Sequence, residues 1–130
     1  MSFNITDPRI VTRMRSAPEL RAAEFALMMI DFDDLLIKKN QCSALTPHAR
    51  LLLGLLINGS MQMKEALMYT PISYRAFYIM VAKLKALSLV DVDAGFSDRR
   101  IRRLSLGRRF TPMIKQLAAN LEAISEKIEN

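Results

Sequence analysis

The sequence predicts a mainly α-helical domain that carries one small β-hairpin. Over most of the chain, apolar residues recur at spacings of three and four, as they do on the buried face of a helix. Residues 90–93 instead alternate valine and aspartate, which is typical of a half-buried strand. The chain has 130 residues, 51% of them apolar and 25% charged, which is enough for one hydrophobic core.

The first 45 residues predict an arm followed by a long helix. Residues 1–15 show no helical period and are expected to form a basic N-terminal arm. Ser16 then caps a helix over residues 17–40, and Glu19 reaches back to the cap. Residues 25–30 are apolar on every side of this helix, and one small domain rarely covers such a surface alone. Residues 16–45 are therefore predicted to hold a dimerisation helix and its connector.

Residues 46–110 predict three helices and a hairpin. Thr46 caps the first helix, and a short helix follows over residues 61–68. Ser73 caps a longer helix, after which residues 89–106 form two short strands joined by a turn. This order of elements is that of a winged helix-turn-helix, whose longer third helix fits the major groove of DNA.

Residues 111–130 predict a C-terminal helix. Thr111 and Pro112 form the same predicted helix start as Thr46 and Pro47, with a capping residue followed by proline. The apolar stripe of this helix is the clearest in the chain, and it consists of Ile114, Leu117, Ala118, Leu121, Ile124 and Ile128.

Positive charge is concentrated on the predicted hairpin. Residues 98–109 contain six arginines and one acid, Asp98, while the whole chain has a net charge of +6. The guanidinium fork pairs with phosphate and fits a narrow groove better than an ammonium group does, so we favour DNA binding over a merely solvated loop. Asp98 is expected to orient a neighbouring arginine, Arg100 or Arg102. The predicted wing contacts are Asp98, Arg99, Arg100, Arg102 and Arg103.

The helix that follows Ser73 supplies candidate base contacts. Ser73, Tyr74, Arg75 and Tyr78 lie in its first turns, on the side away from the predicted core residues. Arg75 has the geometry for a bidentate pair with guanine, and the tyrosine hydroxyls can reach phosphates or bases. The alternative is that the tyrosines cover the edge of the core and Arg75 is solvated. Since few groups on this face form hydrogen bonds, limited sequence specificity is expected.

Three segments resemble the MarR-type (multiple antibiotic resistance) regulators. They are "TPHARLLLGLL", "SYRAFYIMVAKLKALSLV" and "LVDVDAGFSDRRIRRLSL", and the resemblance covers roughly residues 46–128. It implies a homodimer built from the first and last helices, which makes residues 111–130 a C-terminal dimerisation helix. It also implies transcriptional regulation, with release of DNA in many members when a small phenolic or anionic compound binds. In this match, residues 73–79 begin the recognition helix and residues 98–100 form the wing motif.

The chain departs from the pattern of that family at several positions. Ser88 stands where the family usually has glycine, and Gly107 stands where it usually has threonine. The leucine–alanine pair of the short helix is reordered as Glu65, Ala66 and Leu67, and the recognition helix is more apolar than in most members.

Little in the sequence supports catalysis, so we predict that the chain is not an enzyme and has no cofactor or metal site. His48, the only histidine, lies in a first helical turn and is expected to be exposed. No histidine, cysteine and acid set has the spacing of metal ligands, and no glycine-rich loop is suited to phosphate. Asp31, Asp33 and Asp34 could form a metal cluster, but helical spacing turns Asp33 away from the others, so we expect a polar edge.

The remaining signals concern compartment and core packing. A single cysteine cannot form an internal disulfide, and no apolar run approaches the length of a bilayer span, so a cytoplasmic protein without membrane contact is expected. Cys42 is expected to be a small apolar filler, with peroxide sensing as the alternative. Core packing is favoured over a ligand pocket for Met61, Met63, Met68 and Met80.

The sequence thus supports two hypotheses about function. The favoured one is a homodimeric, sequence-dependent regulator that binds double-stranded DNA, with a small-molecule effector left open. The alternative is a winged-helix module that binds another protein through its apolar recognition helix and binds DNA weakly or without specificity.

Overall fold

The computed structural model describes residues 16–94 and 101–129, and the predicted mainly helical class is confirmed. Residues 1–15, which were predicted to form an arm, residues 95–100 and residue 130 lie outside these ranges. The elements, in chain order, are α1 Ala17–Asn40, α2 Pro47–Asn58, β1 Ser60–Gln62, α3 Met63–Tyr69, α4 Tyr74–Ala86, β2 Val90–Ala94, β3 Arg102–Leu106 and α5 Phe110–Glu129.

Capping side chains start three of these helices, as predicted. The side-chain oxygens of Ser16, Thr46 and Ser73 each accept a hydrogen bond from the backbone N–H three residues later, at 3.4, 3.1 and 3.2 Å. The predicted start of the last helix is wrong, because α5 begins at Phe110 and Thr111 lies inside its first turn. That turn is held by backbone bonds instead, such as the one from Phe110 N to Gly107 O at 2.9 Å.

The predicted two-stranded hairpin is part of a three-stranded antiparallel sheet in the order β1-β3-β2. The short helix was predicted to begin at residue 61, but it begins at Met63 because Ser60–Gln62 pairs with β3 as β1. Met61 lies opposite Leu104, and both side chains are buried. This third strand attaches the base of the wing to the connection between α2 and α3.

Two apolar clusters form the interior, and α2 contributes to both. Leu51 and Leu55 belong to the cluster beneath the winged helix, which includes Phe77, Met80, Val81 and Leu84 of α4. Leu56 and Ile57 pack instead into a cluster with α1 and Phe110. Since side chains on two faces of α2 enter different clusters, this helix joins the α1–α5 layer to the part that carries α4.

A buried ion pair fixes the end of α1 to α2. Asp33 is fully buried, and its carboxylate accepts hydrogen bonds from Arg50 Nη1 at 2.6 Å and from the backbone N–H of Ala44 at 2.6 Å. Arg50 also contacts Asp34 at 3.0 Å. The predicted polar edge is therefore wrong at Asp33, because Arg50, which follows 17 positions later, gives this carboxylate a charged partner inside the protein.

Several other predictions can be compared with the structure. His48 is exposed as predicted, and so is Cys42, which is therefore not an apolar filler. Met61 and Met80 are buried and Met63 packs against the same cluster, whereas Met68 is 80% exposed and is not a core residue. Within residues 16–94 and 101–129, no three His, Cys, Asp or Glu residues are grouped as a metal site requires. No helix in these ranges combines the length and hydropathy needed to cross a membrane.

Candidate nucleic-acid interface

α4 buries one face and leaves the opposite face uncovered. Its buried residues are Phe77, Met80, Val81 and Leu84, as the spacing predicts. Leu87, predicted on the same buried face, is 44% exposed, because α4 ends at Ala86 and Leu87 is its C-cap. The centre of the uncovered face is a stripe at spacings of four, three and four, formed by Arg75, Ile79, Ala82 and Ala86. All four are exposed, and Ile79 is 62% exposed although it lies in the middle of the helix. Such a face is available to a partner outside the chain.

Tyr74 and Tyr78 form a pair on one flank of this stripe. Their hydroxyl oxygens are 3.1 Å apart and share a hydrogen bond, and their ring centroids are 4.6 Å apart. The ring of Tyr78 also meets the buried Phe77 edge-on at 5.8 Å. Tyr78 therefore lies at the boundary between core and surface, while Tyr74 is 65% exposed.

The environment of Tyr78 keeps its hydroxyl protonated. The hydrogen bond with Tyr74 raises the pKa of Tyr78, burial raises it further, and the nearby charge of Arg102 only partly opposes these effects. A phenol is already protonated at pH 7, and the raised pKa of Tyr78 favours this form further, so its hydroxyl can both donate and accept hydrogen bonds. Tyr78 and Arg102 line the same groove, so the base of the wing lies close to α4.

A groove of about 310 Å³ lies between the wing and α4. Tyr74 and Tyr78 line one side of it, Ile101 and Arg102 line the wing side, and Lys64 of α3 lies at its edge. Lys64 and Ile101 are not among the candidate site residues predicted from the sequence. Their place depends on how α3 and the hairpin fold around α4, which no local pattern reveals.

The two described wing arginines point to opposite faces of the sheet. Arg102 lies in the groove beside Tyr78. Arg103 lies opposite Asp93 of β2, and its Nη2 donates to Ser60 Oγ of β1 at 3.0 Å. Successive side chains of a strand alternate between faces, so neighbouring arginines are separated in this way. Asp98, Arg99 and Arg100 fall outside the described residues.

The charges around the uncovered face of α4 are positive. α4 contains Arg75, Lys83 and Lys85 and no acidic residue. Lys64 and Arg102 add two exposed cations on the groove side. The arrangement combines an exposed helix with positive charges on the helix and in the groove beside it, which suits the polyanionic surface of a nucleic acid.

Solved structures with the same fold include two transcriptional regulators. The transcriptional regulator Tm0710 from Thermotoga maritima is 17% identical to this chain, over 81% of this chain and 72% of that one, with a TM-score of 0.56. The transcriptional regulator PA4135 is 14% identical, over 88% and 83% of the two chains, with a TM-score of 0.52. No protein-family model and no curated protein matches the sequence. The winged fold implied by the resemblance to MarR-type regulators is thereby confirmed.

Proposed function

We propose that this chain binds double-stranded DNA as a homodimeric, MarR-like transcriptional regulator. α4 enters the major groove, and the arginine-rich wing contacts phosphates or the neighbouring minor groove. The observation that supports this most is the shared groove: Arg102 of the wing borders the same space as Tyr74 and Tyr78, which flank the exposed face of α4, so one duplex can contact both elements. The likeness in fold to transcriptional regulators agrees with the proposal.

Each proposed contact has a separate task. Arg75 donates to a guanine edge, and the hydroxyls of Ser73, Tyr74 and Tyr78 bond to phosphates or base edges. Arg102 and Arg103 neutralise phosphates, together with Arg99 and Arg100, and Asp98 orients one of these arginines. Phosphate contacts fix the register of the protein on the duplex, while sequence preference depends on α4 alone.

Binding of a duplex is expected to weaken steeply with salt, and Arg102→Ala is expected to reduce that dependence. Each neutralised phosphate contributes about −0.9 to the slope of log affinity against log salt concentration. Arg102→Ala should therefore make the slope less negative by about one unit and weaken binding of every sequence about tenfold at low salt. Fluorescence anisotropy with labelled random-sequence duplexes over a series of salt concentrations measures both effects.

Two further variants complete this measurement, of which the second is the control. Arg103→Ala removes another proposed phosphate contact and should weaken binding less than Arg102→Ala, because Arg103 lies on the other face of the sheet and is hydrogen-bonded to Ser60. Lys127→Ala removes the same charge in the last turn of α5, about 25 Å along that helix from Phe110, and should bind like the wild type. The mechanism is contradicted if Arg102→Ala and Lys127→Ala bind equally well at every salt concentration.

An uncovered apolar groove between α1 and α5 supports the homodimer. It has a volume of about 400 Å³ and is lined by Phe25, Met28, Met29, Phe32, Leu121, Ile124, Ser125 and Ile128. Phe32 is 55% exposed, and Met28, Ile124 and Ile128 are also exposed. Contiguous apolar surface of this kind marks a protein interface. A second copy of the chain covers it in the proposed dimer, since a two-fold axis places the same surface on both subunits.

Phe32→Glu is expected to dissociate the dimer. The substitution puts a charge into an apolar contact, which costs several kcal/mol per subunit unless the charge finds a partner. Sedimentation equilibrium should give twice the 14.8 kDa chain mass for the wild type and a shift of at least about 100-fold in the dimer dissociation constant for the variant. Ala119→Glu adds the same charge on the exposed side of α5 and should remain dimeric. A monomeric wild type at micromolar concentration excludes the dimer.

A second candidate function is a protein-interaction module with the same fold. The exposure of Ile79, Tyr74 and Met68, the last of which is 80% exposed, favours it, because apolar surface suits a protein partner. Selection of bound fragments from random duplex DNA at two salt concentrations separates the two functions. Enrichment of a motif supports the regulator. Lack of duplex binding at low salt, together with a specific protein that co-purifies, supports the module.

A further inference from the structure

The exposed stripe of α4 carries one group that forms side-chain hydrogen bonds and three that do not. Arg75 is the polar residue, and Ile79, Ala82 and Ala86 follow it along the helix. The side chain of Ile79 is not an edge of the core: it is 62% exposed, whereas Phe77 and Met80 on either side are buried. A large apolar side chain thus stands at the centre of the surface that faces outward from the winged fold.

The stripe is complementary to one feature of the major groove. Thymine is the base that presents an apolar group there, its C5-methyl, and aliphatic side chains contact it. Arg75 and Ile79 are four residues apart, which corresponds to about 6 Å along the helix axis. This distance is roughly two base-pair steps of about 3.4 Å. A guanine bound by Arg75 and a thymine methyl against Ile79 can therefore belong to neighbouring positions of one site.

We infer that α4 recognises thymine methyl groups through Ile79 and Ala82, next to a guanine held by Arg75, so that the preferred half-site is a guanine close to A·T pairs. The inference rests on the proposed DNA binding and specifies which sequences are bound. It also explains how a helix with few hydrogen-bonding groups discriminates between bases.

The charges around the stripe favour DNA over a protein as the occupant. Arg75 lies one turn before Ile79 on α4 and Lys83 one turn after it, and Arg102 lies in the neighbouring groove beside Tyr78. An apolar residue between a guanine-binding arginine and a lysine suits the major groove, where base edges lie next to a thymine methyl and phosphates border the groove. The exposed acids of the sheet, Asp91 and Asp93, are on β2 and not on this helix.

Replacement of thymine by deoxyuridine tests the inference directly, because it removes the C5-methyl and leaves base pairing unchanged. The duplex most enriched by selection is synthesised with deoxyuridine at one thymine position at a time, and affinities are measured by fluorescence anisotropy. Loss of one contacted methyl should weaken wild-type binding about three- to fivefold, a factor expected for one buried apolar carbon. Substitution at thymines outside the selected motif should have no effect.

Ile79→Ala completes a double-mutant cycle with the replacement of thymine by deoxyuridine, and Arg102→Ala is the control. Ile79→Ala should bind the thymine duplex more weakly and should lose most of the difference between thymine and deoxyuridine at one position. Arg102→Ala should weaken binding of both duplexes equally, because it acts on phosphates. The substitution at Ile79 is on the surface and introduces a better helix former, so the variant is expected to fold.

The outcomes separate this inference from the proposed function. If the wild type binds no duplex at low salt, both are wrong. If it binds a motif tightly but has the same affinity for thymine and deoxyuridine at every position, the DNA-binding function stands. In that case the recognition of thymine methyl groups by α4 is contradicted. The same conclusion follows if Ile79→Ala keeps the full thymine preference of the wild type.

Discussion

Asp33→Asn should lower the free energy of unfolding by about 3 kcal/mol at pH 7, because it leaves a buried arginine without its charge partner. The Asp33 carboxylate is fully buried and lies 2.6 Å from Arg50 Nη1. It also accepts hydrogen bonds from the backbone N–H groups of Ala44 and Leu45 and from the Ser43 hydroxyl. An asparagine keeps the shape but loses the charge and one acceptor oxygen. Urea denaturation of both proteins measures the difference.

Asp34→Asn is the matched control, since the same arginine contacts both aspartates. Asp34 lies 3.0 Å from Arg50 Nη2, but its side chain is 57% exposed, so water screens the pair. Exposed ion pairs contribute less than about 1 kcal/mol. We therefore expect a small effect for Asp34→Asn and a large one for Asp33→Asn. Equal effects in the two variants would show that burial of Asp33 has no energetic importance.

The pH dependence gives a second test of the same ion pair. Burial alone raises the pKa of Asp33, but hydrogen bonds from Ala44, Arg50, Leu45 and Ser43 outweigh it and hold the pKa below its ordinary value. A depressed pKa stabilises the fold above the unfolded-state pKa of about 3.9, and this contribution is lost as the pH falls through the folded-state value. The stability difference between wild type and Asp33→Asn should therefore be constant from about pH 5 to 8 and shrink below about pH 4.

This ion pair also has a consequence for the proposed DNA binding. Arg50 Nε donates to the backbone carbonyl of Tyr69 at 2.8 Å, at the end of α3. One guanidinium thus connects α1, which carries the proposed dimer surface, to the helix that precedes α4. In a homodimer, the distance between the two copies of α4 depends on this connection. The network is therefore expected to influence the spacing of half-sites as well as stability.

Local signals in the sequence were sufficient for most of the fold. The caps at Ser16, Thr46 and Ser73 and the period of α4 depend on residues a few positions apart, and the structure has all of them except the predicted burial of Leu87. β1 was missed because three residues are too few to show an alternating pattern, and its partner β3 is more than 40 positions away. The burial of Asp33 was missed for a similar reason, because its partner lies on another helix.

The candidate site was predictable in its residue types but not in its geometry. Arginine enrichment and the exposed face of α4 followed from composition and period. The division of Arg102 and Arg103 between two faces depends on the register of β3, which pairs Arg103 with Asp93. The bond between Tyr74 and Tyr78 follows from helical spacing of four, yet their association with Arg102 requires the hairpin to fold against α4.

Gly107→Ala is the second substitution with a large expected effect, about 3 kcal/mol of destabilisation, because a Cβ at this position has no space. It would overlap the carbonyl oxygen of Ser88 and lie 2.7 Å from the carbon of that carbonyl. Both atoms belong to the backbone, so no side-chain rotation relieves the contact. The two segments are also joined by hydrogen bonds from Gly107 N to Leu89 O at 2.8 Å and from Arg109 N to Ser88 O at 3.3 Å.

Ser88 is unusual on the other side of the same contact. Its φ is +60°, in the left-handed region where a residue with a Cβ costs roughly 1 kcal/mol more than glycine. The resemblance to MarR-type regulators puts glycine at position 88 and threonine at position 107. In this chain the glycine is at position 107 instead, on the other side of the contact between the two segments. The two departures that the sequence showed separately therefore meet at one point, where the wing returns to the body of the domain.

Ser88→Gly is accordingly expected to stabilise the wild type by up to about 1 kcal/mol, and to reduce the cost of Gly107→Ala when both are combined. A glycine at position 88 lets its peptide group rotate away from the new Cβ, so the double variant should be more stable than the sum of the single effects predicts. Urea unfolding of the four proteins gives the coupling free energy, which should be at least about 1 kcal/mol. Strict additivity would mean that the contact at Gly107 is relieved by movement of the hairpin, independently of Ser88.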